Sequence, residues 1–232
     1  MRNWLITTYA PGNPRRRAEF EFCLQQNLSH FDAVTVISEY PTAPSWFTGE
    51  WHHTEGRPTY SHWLSAAAAL KVRDQGNLAA CHIVIANADI VIPRVALRQI
   101  GQHIQPGEVY CLSRWNITER GIQLMDAACS QDVWAFHRYP DDSLEMMAGY
   151  YPIGVPGCDN RFAHELHEAG HRLLNPSRDI KTFHFHQSKW RPANRPSNRV
   201  PLPYMFVKPH RLGEDPEYSF PTMASTRASR IV

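Results

Sequence analysis

The chain has 232 residues, 43% of them hydrophobic with seven Trp and ten Phe, and 24 Lys and Arg against 22 Asp and Glu give a net charge of +2. That length buries roughly 70–75% of the unfolded surface as one domain, and the apolar content excludes a disordered chain. No stretch approaches the about 18 apolar residues of a membrane span, and residues 1–9 form too short an apolar run for a signal peptide, with the basic cluster at 15–17 following it.

Taken in order, N-W-L-I-T-T-Y at residues 3–9 predicts an opening strand. Asn13-Pro14 supplies a helix start, and Phe20, Leu24 and Leu28 recur at i, i+4, i+8 as one buried face. Ala33–Ser38 reads as a second strand closing on Glu39. The stretch 40–59, rich in Pro, Trp, His and Gly, is too long for a simple connection and reads as a functional or lid loop. A helix follows from Ser61 to about Gln75, with Gly76 as its stop. Cys81–Ala86 is a third strand, and strand, helix, strand, helix, strand is the order of a parallel sheet with right-handed crossovers. Then come a short helix from Pro93, strands at 108–113 and 133–137, a Gly-rich loop at 153–160 whose Asp159 can cap a helix through Ala169, a turn at 175–179 and a final strand at 180–186. The 18 Pro point to many ordered loops, where sites are usually built.

Five cysteines, Cys23, Cys81, Cys111, Cys129 and Cys158, lack C-x-x-C spacing and read as free thiols in a reducing compartment, the cytoplasm by default. Residues 188–232 hold eight Lys or Arg against three Asp or Glu, a balance of +5 that leaves −3 for residues 1–187. This Pro-rich basic end reads either as an arm packed along the domain or as a contact for phosphates, nucleic acid among them.

The most informative stretch is C-H-I-V-I-A-N-A-D, in which an apolar strand runs into Asn87 and Asp89. Ligands of open α/β sheets gather beyond the carboxyl ends of the strands, where a carboxylate can hold Mg²⁺ or Mn²⁺; an Asx-turn ending the strand is the plainer alternative. In T-F-H-F-H, alternation puts Thr182, His184 and His186 on one face and Phe183 and Phe185 on the other. Two imidazoles on one polar face suit a metal or a diphosphate.

A strand ending in a D-x-D-like motif, a glycine-bearing loop followed by an acidic residue, and a late histidine together resemble the GT-A nucleotide-sugar glycosyltransferases. More narrowly, L-S-R-W-N, S-Q-D-V-W-A-F, G-V-P-G-C-D-N and N-P-S-R-D-I-K-T-F-H-F-H resemble bacterial and viral glycosyltransferase-like proteins. The resemblance implies an α/β, GT-A-like single domain: a Rossmann-type, mostly parallel twisted sheet flanked by helices. Residues 1–188 would form the catalytic domain and 189–232 a C-terminal extension packed on it or extending from it. It further implies transfer of a sugar from a nucleotide-diphosphate donor to a glycan or lipid-linked saccharide hydroxyl, with a modified base in DNA or a nonenzymatic binding module as alternatives.

Carried over residue by residue, the resemblance makes Asp89 the metal carboxylate, with Mn²⁺ or Mg²⁺ as cofactor, and sets Asn87 where the family has its first Asp. His184 or His186 matches the late histidine, which contacts metal or diphosphate. Asp159 matches the acidic residue that accepts the acceptor's proton, and Asp132 is the second candidate base. Thr8, Tyr9 and Glu39 lie where the family holds base and ribose, Arg17 and Arg57 are candidates for the diphosphate, since a guanidinium binds phosphate oxygens at two points, and Arg114 is a further candidate for nucleotide-sugar binding. Trp115 and Trp134 could stack on a sugar, although core packing is the commoner use of such side chains.

One competing motif is His167-Glu-Ala-Gly-His171, which fits the H-E-x-x-H of zinc peptidases. Gly170 falls where the helix should end, so His171 is expected to leave the face that carries His167.

Overall fold

Strand β1 (Arg2–Tyr9) is apolar on both sides at its centre, with Trp4, Leu5 and Ile6 buried, as a central parallel strand requires. The computed structural model describes residues 2–10, 14–73, 81–138, 149–185 and 199–222. Helix α1 (Pro14–His30) returns the chain to β2 (Ala33–Ser38), and β3 (Glu50–His53) extends the sheet. Helix α2 (Tyr60–Arg73) precedes β4 (Cys81–Ala86), in which every side chain is buried. The short β5 (Ile90–Val91), helix α3 (Arg94–His103) and β6 (Glu108–Leu112) come next. A hairpin of β7 (Trp115–Thr118) and β8 (Gly121–Leu124) leads to β9 (Val133–Phe136). Helix α4 (Cys158–Glu168), β10 (Arg172–Leu174), β11 (Phe183–His184), β12 (Phe206–Val207) and β13 (Tyr218–Ser219) complete the described chain.

The main sheet runs β10-β6-β9-β4-β1-β2-β3, and β9 alone among these described strands is antiparallel to its neighbours. Because successive side chains of a strand point to opposite faces, Ile83 and Ile85 enter one apolar layer with Trp63, Leu64, Phe162 and Leu166 from α2 and α4. Leu5, Val84 and Ala86 enter the other with Phe20, Leu24, Leu97 and Ile100 from α1 and α3. The architecture is the expected one, α/β with a mostly parallel central sheet between helices. A second sheet, β5-β11-β7-β8, is built from segments that leave the carboxyl edge of the first.

Several local expectations shift. Residues 40–59 contain the edge strand β3, whose Glu-Trp-His-His sequence is polar and half exposed and therefore lacks the apolar alternation that announces a strand. The final strand shrinks to Phe183–His184 because Ile180 closes a turn, its N–H on the Pro176 carbonyl at 2.9 Å. Pro93 caps α3 instead of opening it. Asn13, Gln75, Gly76 and residues 189–198 lie outside the described residues.

The described part of the C-terminal segment is built into the core. Val200, Met205 and Val207 are buried in the α2/α4 layer, and Tyr204 is 2% exposed. Buried Asn175 fastens it: its side chain donates to Val207 O and Ser113 Oγ, its backbone N–H donates to His210 Nε2, and its carbonyl accepts the His210 N–H. A buried amide with every hydrogen-bonding group used in this way fixes one register for the segments it joins.

Candidate functional site

All the parallel strands end at one edge, and β9, running the other way, begins there. Asn87 follows β4, Arg114 follows β6 and Asp132 precedes β9. Asp132 is locked between them, its N–H donating to Leu112 O and its carbonyl accepting from Asn87 N, each at 3.0 Å. Asn87 to Ile90 form a tight turn, with Ile90 N on Asn87 O at 3.2 Å. The turn is held against α1 by buried Asn27, which donates to Ile90 O at 2.8 Å and accepts from Ile92 N at 3.0 Å. Asp89 thus projects from a fixed turn.

Two linked polar clusters result. In the first, Asp89 Oδ2 accepts from Arg16 Nη2 at 2.8 Å and from His184 Nε2 at 3.1 Å, and Arg16 also pairs with Glu19 at 2.6 Å. These partners hold the Asp89 carboxyl well below the usual range against the upward push of burial, the largest single influence on it. His184 Nδ1 meets Asn116 Oδ1 at 2.9 Å, and the same oxygen accepts from Arg114 Nε at 3.1 Å. In the second, Arg114 Nη1 contacts both oxygens of Asp132 at 2.8 and 3.0 Å, and Asn87 Nδ2 donates to Asp132 Oδ1 at 3.0 Å. Arg114 joins the two.

Asp159 stands at the edge of the second cluster, in the first turn of α4. The cap of that helix is Gly157, in the left-handed conformation at φ 86°, so Asp159 is not the cap residue expected from the sequence. Its Oδ2 accepts the Gln131 N–H at 3.4 Å. Burial, and after it the nearby charge of Asp132, raise its carboxyl to about 7, and backbone N–H groups of Gln131, Asp159 and Asn160 oppose the rise. A carboxyl in that range can hold or release a proton near neutrality.

The remaining expected residues are spread more widely. Thr8 is partly buried at the end of β1. Tyr9 packs its buried ring on Trp51 and Tyr40 and donates to Glu21 at 2.9 Å; burial and that carboxylate push its hydroxyl up. Arg17 and Glu39 are exposed. Arg57 is exposed too and its guanidinium lies over Gly154 in the Gly-rich loop, close enough that a Cβ there would meet Nη2 at 2.8 Å. His186 lies outside the described residues. Trp134 is fully buried and Trp115 lies under Lys181. Sequence reasoning missed Arg16, Asn116 and Glu19. The R-R-R run marks the region but not which of its members turns inward.

The H-E-x-x-H segment is not one helical face. Gly170 adopts φ 88°, its N–H on His167 O at 2.9 Å, and the His171 N–H reaches Leu166 O at 3.1 Å. That bonding pattern ends a helix. His167 instead packs on Tyr218 and Phe220.

Among the described residues no group of three or more His, Cys, Asp or Glu converges as a metal site. No described helix is long and apolar enough to cross a membrane. A cleft of about 510 Å³ lined by His30, His82, Arg94 and Arg98 lies at the opposite edge of the sheet and contains none of the residues above.

No family model and no curated protein matches the chain in sequence. In structure it is similar to the mannosyltransferase PcManGT from Pyrobaculum calidifontis, solved with GDP-Man and Mn²⁺, at 17% identity and a TM-score of 0.48 over 81% of this chain. The chain spans 58% of that protein, less than two thirds of its length. It is similar also to a 4-diphosphocytidyl-2C-methyl-D-erythritol synthase, at 14% identity and a TM-score of 0.45, covering 75% of this chain and 88% of that one. For the bifunctional IspDF from Campylobacter jejuni the identity is 10% and the TM-score 0.41, covering 89% and 57%.

Proposed function

We propose that the chain is a glycosyltransferase that moves a sugar from a nucleotide-diphosphate donor to an acceptor hydroxyl, a glycan or lipid-linked saccharide. The observation that carries this reading is the gathering of Asp159, Asp132 and Arg114 at the carboxyl edge of the sheet, where burial pushes the Asp159 carboxyl up to about 7. A sugar hydroxyl is a poor nucleophile and needs a base of that strength within reach. Asp159 takes the hydroxyl proton as the oxygen attacks the anomeric carbon. The bond from that carbon to the diphosphate breaks on the opposite face, and its electron pair leaves with the nucleoside diphosphate, so the anomeric centre inverts. Negative charge then builds on the departing diphosphate, where guanidinium groups stabilise it best if fixed beforehand. Arg114 is fixed by Asp132, while Arg57 and Arg17 offer exposed guanidinium groups. Thr8 and Glu39, at the ends of β1 and β2, are the proposed base and ribose contacts.

The test is a panel of nucleotide sugars offered to the full chain, reading thermal shift and release of free nucleoside diphosphate. Stabilisation and slow release by one donor, accelerated by an acceptor saccharide, is the expected result. Stabilisation with no release from any donor would reduce the protein to a binding module, and release of pyrophosphate from a nucleoside triphosphate would move the reaction to nucleotidyl transfer.

A further inference from the structure

We infer that Asp89 and His184 form an ion-paired strut with Arg16 instead of a metal site, and that the donor diphosphate is bound without a divalent cation. The inference rests on the nucleotide-diphosphate reading above. A D-x-D-like turn followed by a late histidine implies Mn²⁺ or Mg²⁺, so the donor atoms actually offered decide whether such an ion fits.

They do not. A hard divalent cation needs carboxylate or carbonyl oxygens, and a ligating histidine must present a ring lone pair. The Asp89 carboxylate already faces two donors on Oδ2, the Arg16 guanidinium at 2.8 Å and the His184 ring at 3.1 Å. Arg16 is no passing surface charge. It is 9% exposed, is held from its other side by Glu19 at 2.6 Å, and stacks over Phe20 at 4.5 Å from the ring centre. A metal on Asp89 Oδ2 would have to displace a buried guanidinium from that oxygen.

His184 is committed as well. Its Nδ1 faces Asn116 Oδ1, and the orientation of that amide is fixed because the same oxygen accepts from Arg114 Nε. With an amide oxygen facing one ring nitrogen and a carboxylate oxygen the other, both ring nitrogens are taken up by protein partners. Asn87, in the place of the family's first acid, uses its amide nitrogen on Asp132. Asp89 Oδ2, both ring nitrogens of His184 and the Asn87 amide nitrogen are therefore engaged with protein partners. Arg16 lies between Asp89 and Glu19 and Arg114 faces Asp132, so the site brings cations of its own to its carboxylates.

Two measurements on the full-length protein test this. Calorimetric titration of UDP and of GDP, each in EDTA and in millimolar Mn²⁺, should give the same affinity in both conditions. Binding that appears only with Mn²⁺ would overturn the inference while leaving the donor reading intact. Binding of neither nucleotide in either condition would instead count against the donor reading, and the second measurement then decides the inference alone. It is titration of Mn²⁺ without nucleotide, followed by electron paramagnetic resonance. The free-ion signal should persist undiminished at stoichiometric protein. Stoichiometric uptake that is lost in Asp89→Asn, or in His184→Gln should the first variant not fold, would overturn the inference; uptake that both variants retain lies elsewhere on the protein and supports it.

Discussion

The side-chain amide of Asn87 donates to Oδ1 of Asp132 at 3.0 Å, so the residue that follows β4 supports a carboxylate at the start of the neighbouring strand β9. The two acids near that edge are thereby set apart. Asp132 receives Asn87 and two contacts from Arg114, whereas Asp159 receives backbone N–H groups alone and is the one raised to about 7.

The first prediction follows from that division. Asp159→Asn should keep nucleoside diphosphate affinity and slow transfer by roughly 10²–10⁴, the usual range for losing a general base. Wild-type turnover should rise with pH through about 7, and the variant should lose that limb. Steady-state rates across pH for both proteins check it; equal turnover would leave Asp159 only a position in the first turn of a helix.

The same carboxyl makes stability depend on pH with a definite sign. Its folded-state pKa, about 7, lies above the roughly 3.9 of an unfolded Asp. Its contribution is therefore full below about pH 4 and lost as pH rises through about 7. Asp159→Asn removes the dependence, so its melting temperature relative to wild type should be higher at about pH 8 than at about pH 4. Thermal melts of both proteins at the two pH values suffice, and a relative Tm that does not move would contradict the raised carboxyl.

Arg114→Met leaves Asp132 buried without its cation. The pair is 14% and 7% exposed, so the cost should be that of a broken buried pair, about 3–5 kcal/mol, and not the ~0–1 kcal/mol of a surface one. Urea denaturation measures it. Loss of the Arg114 charge should also move the Asp159 midpoint further up, which the pH–rate profile reads independently.

Gly157 caps the helix that carries Asp159, at φ 86°, and a Cβ there would meet the Tyr204 hydroxyl at 2.6 Å. The left-handed backbone alone makes Gly157→Ala cost about 1–2 kcal/mol, and the clash adds to it. Because the Tyr204 hydroxyl also donates to Val200 O, the substitution should cost less in a Tyr204→Phe background, where that oxygen is gone. A double-mutant cycle by chemical denaturation would show additivity if the two residues do not touch.

A chain ending at Ser188 should lose cooperative folding. It lacks Val200, Tyr204, Met205 and Val207, all buried, and the His210 partner of Asn175. Each such side chain is worth about 1.5–3 kcal/mol, together comparable with a typical net stability of about 5–15 kcal/mol. A sharp melt near the full-length Tm would show the C-terminal segment to be dispensable.

What the sequence by itself determined is the part written in short periods. The mostly apolar β4, the Phe20 and Leu24 face of α1, the break at Gly170 and the positions of Asp89 and Asp159 after their strand and glycine loop were all legible. Each depends on neighbours within about one helical turn or two strand residues. Edge strand β3 was hidden because a strand that buries little carries no apolar alternation. The site's partnerships were hidden for a different reason. Helical rotation of about 100° per residue decides that Arg16 and not Arg17 turns toward Asp89, but only the docking of α1 on the sheet makes that direction meaningful. Arg16 meets Asp89 across 73 residues and Asp89 meets His184 across 95. Helix docking and strand pairing set those separations, and no local pattern records which side chain lies opposite; the tertiary structure alone placed the Asp89 carboxylate between an arginine and a histidine.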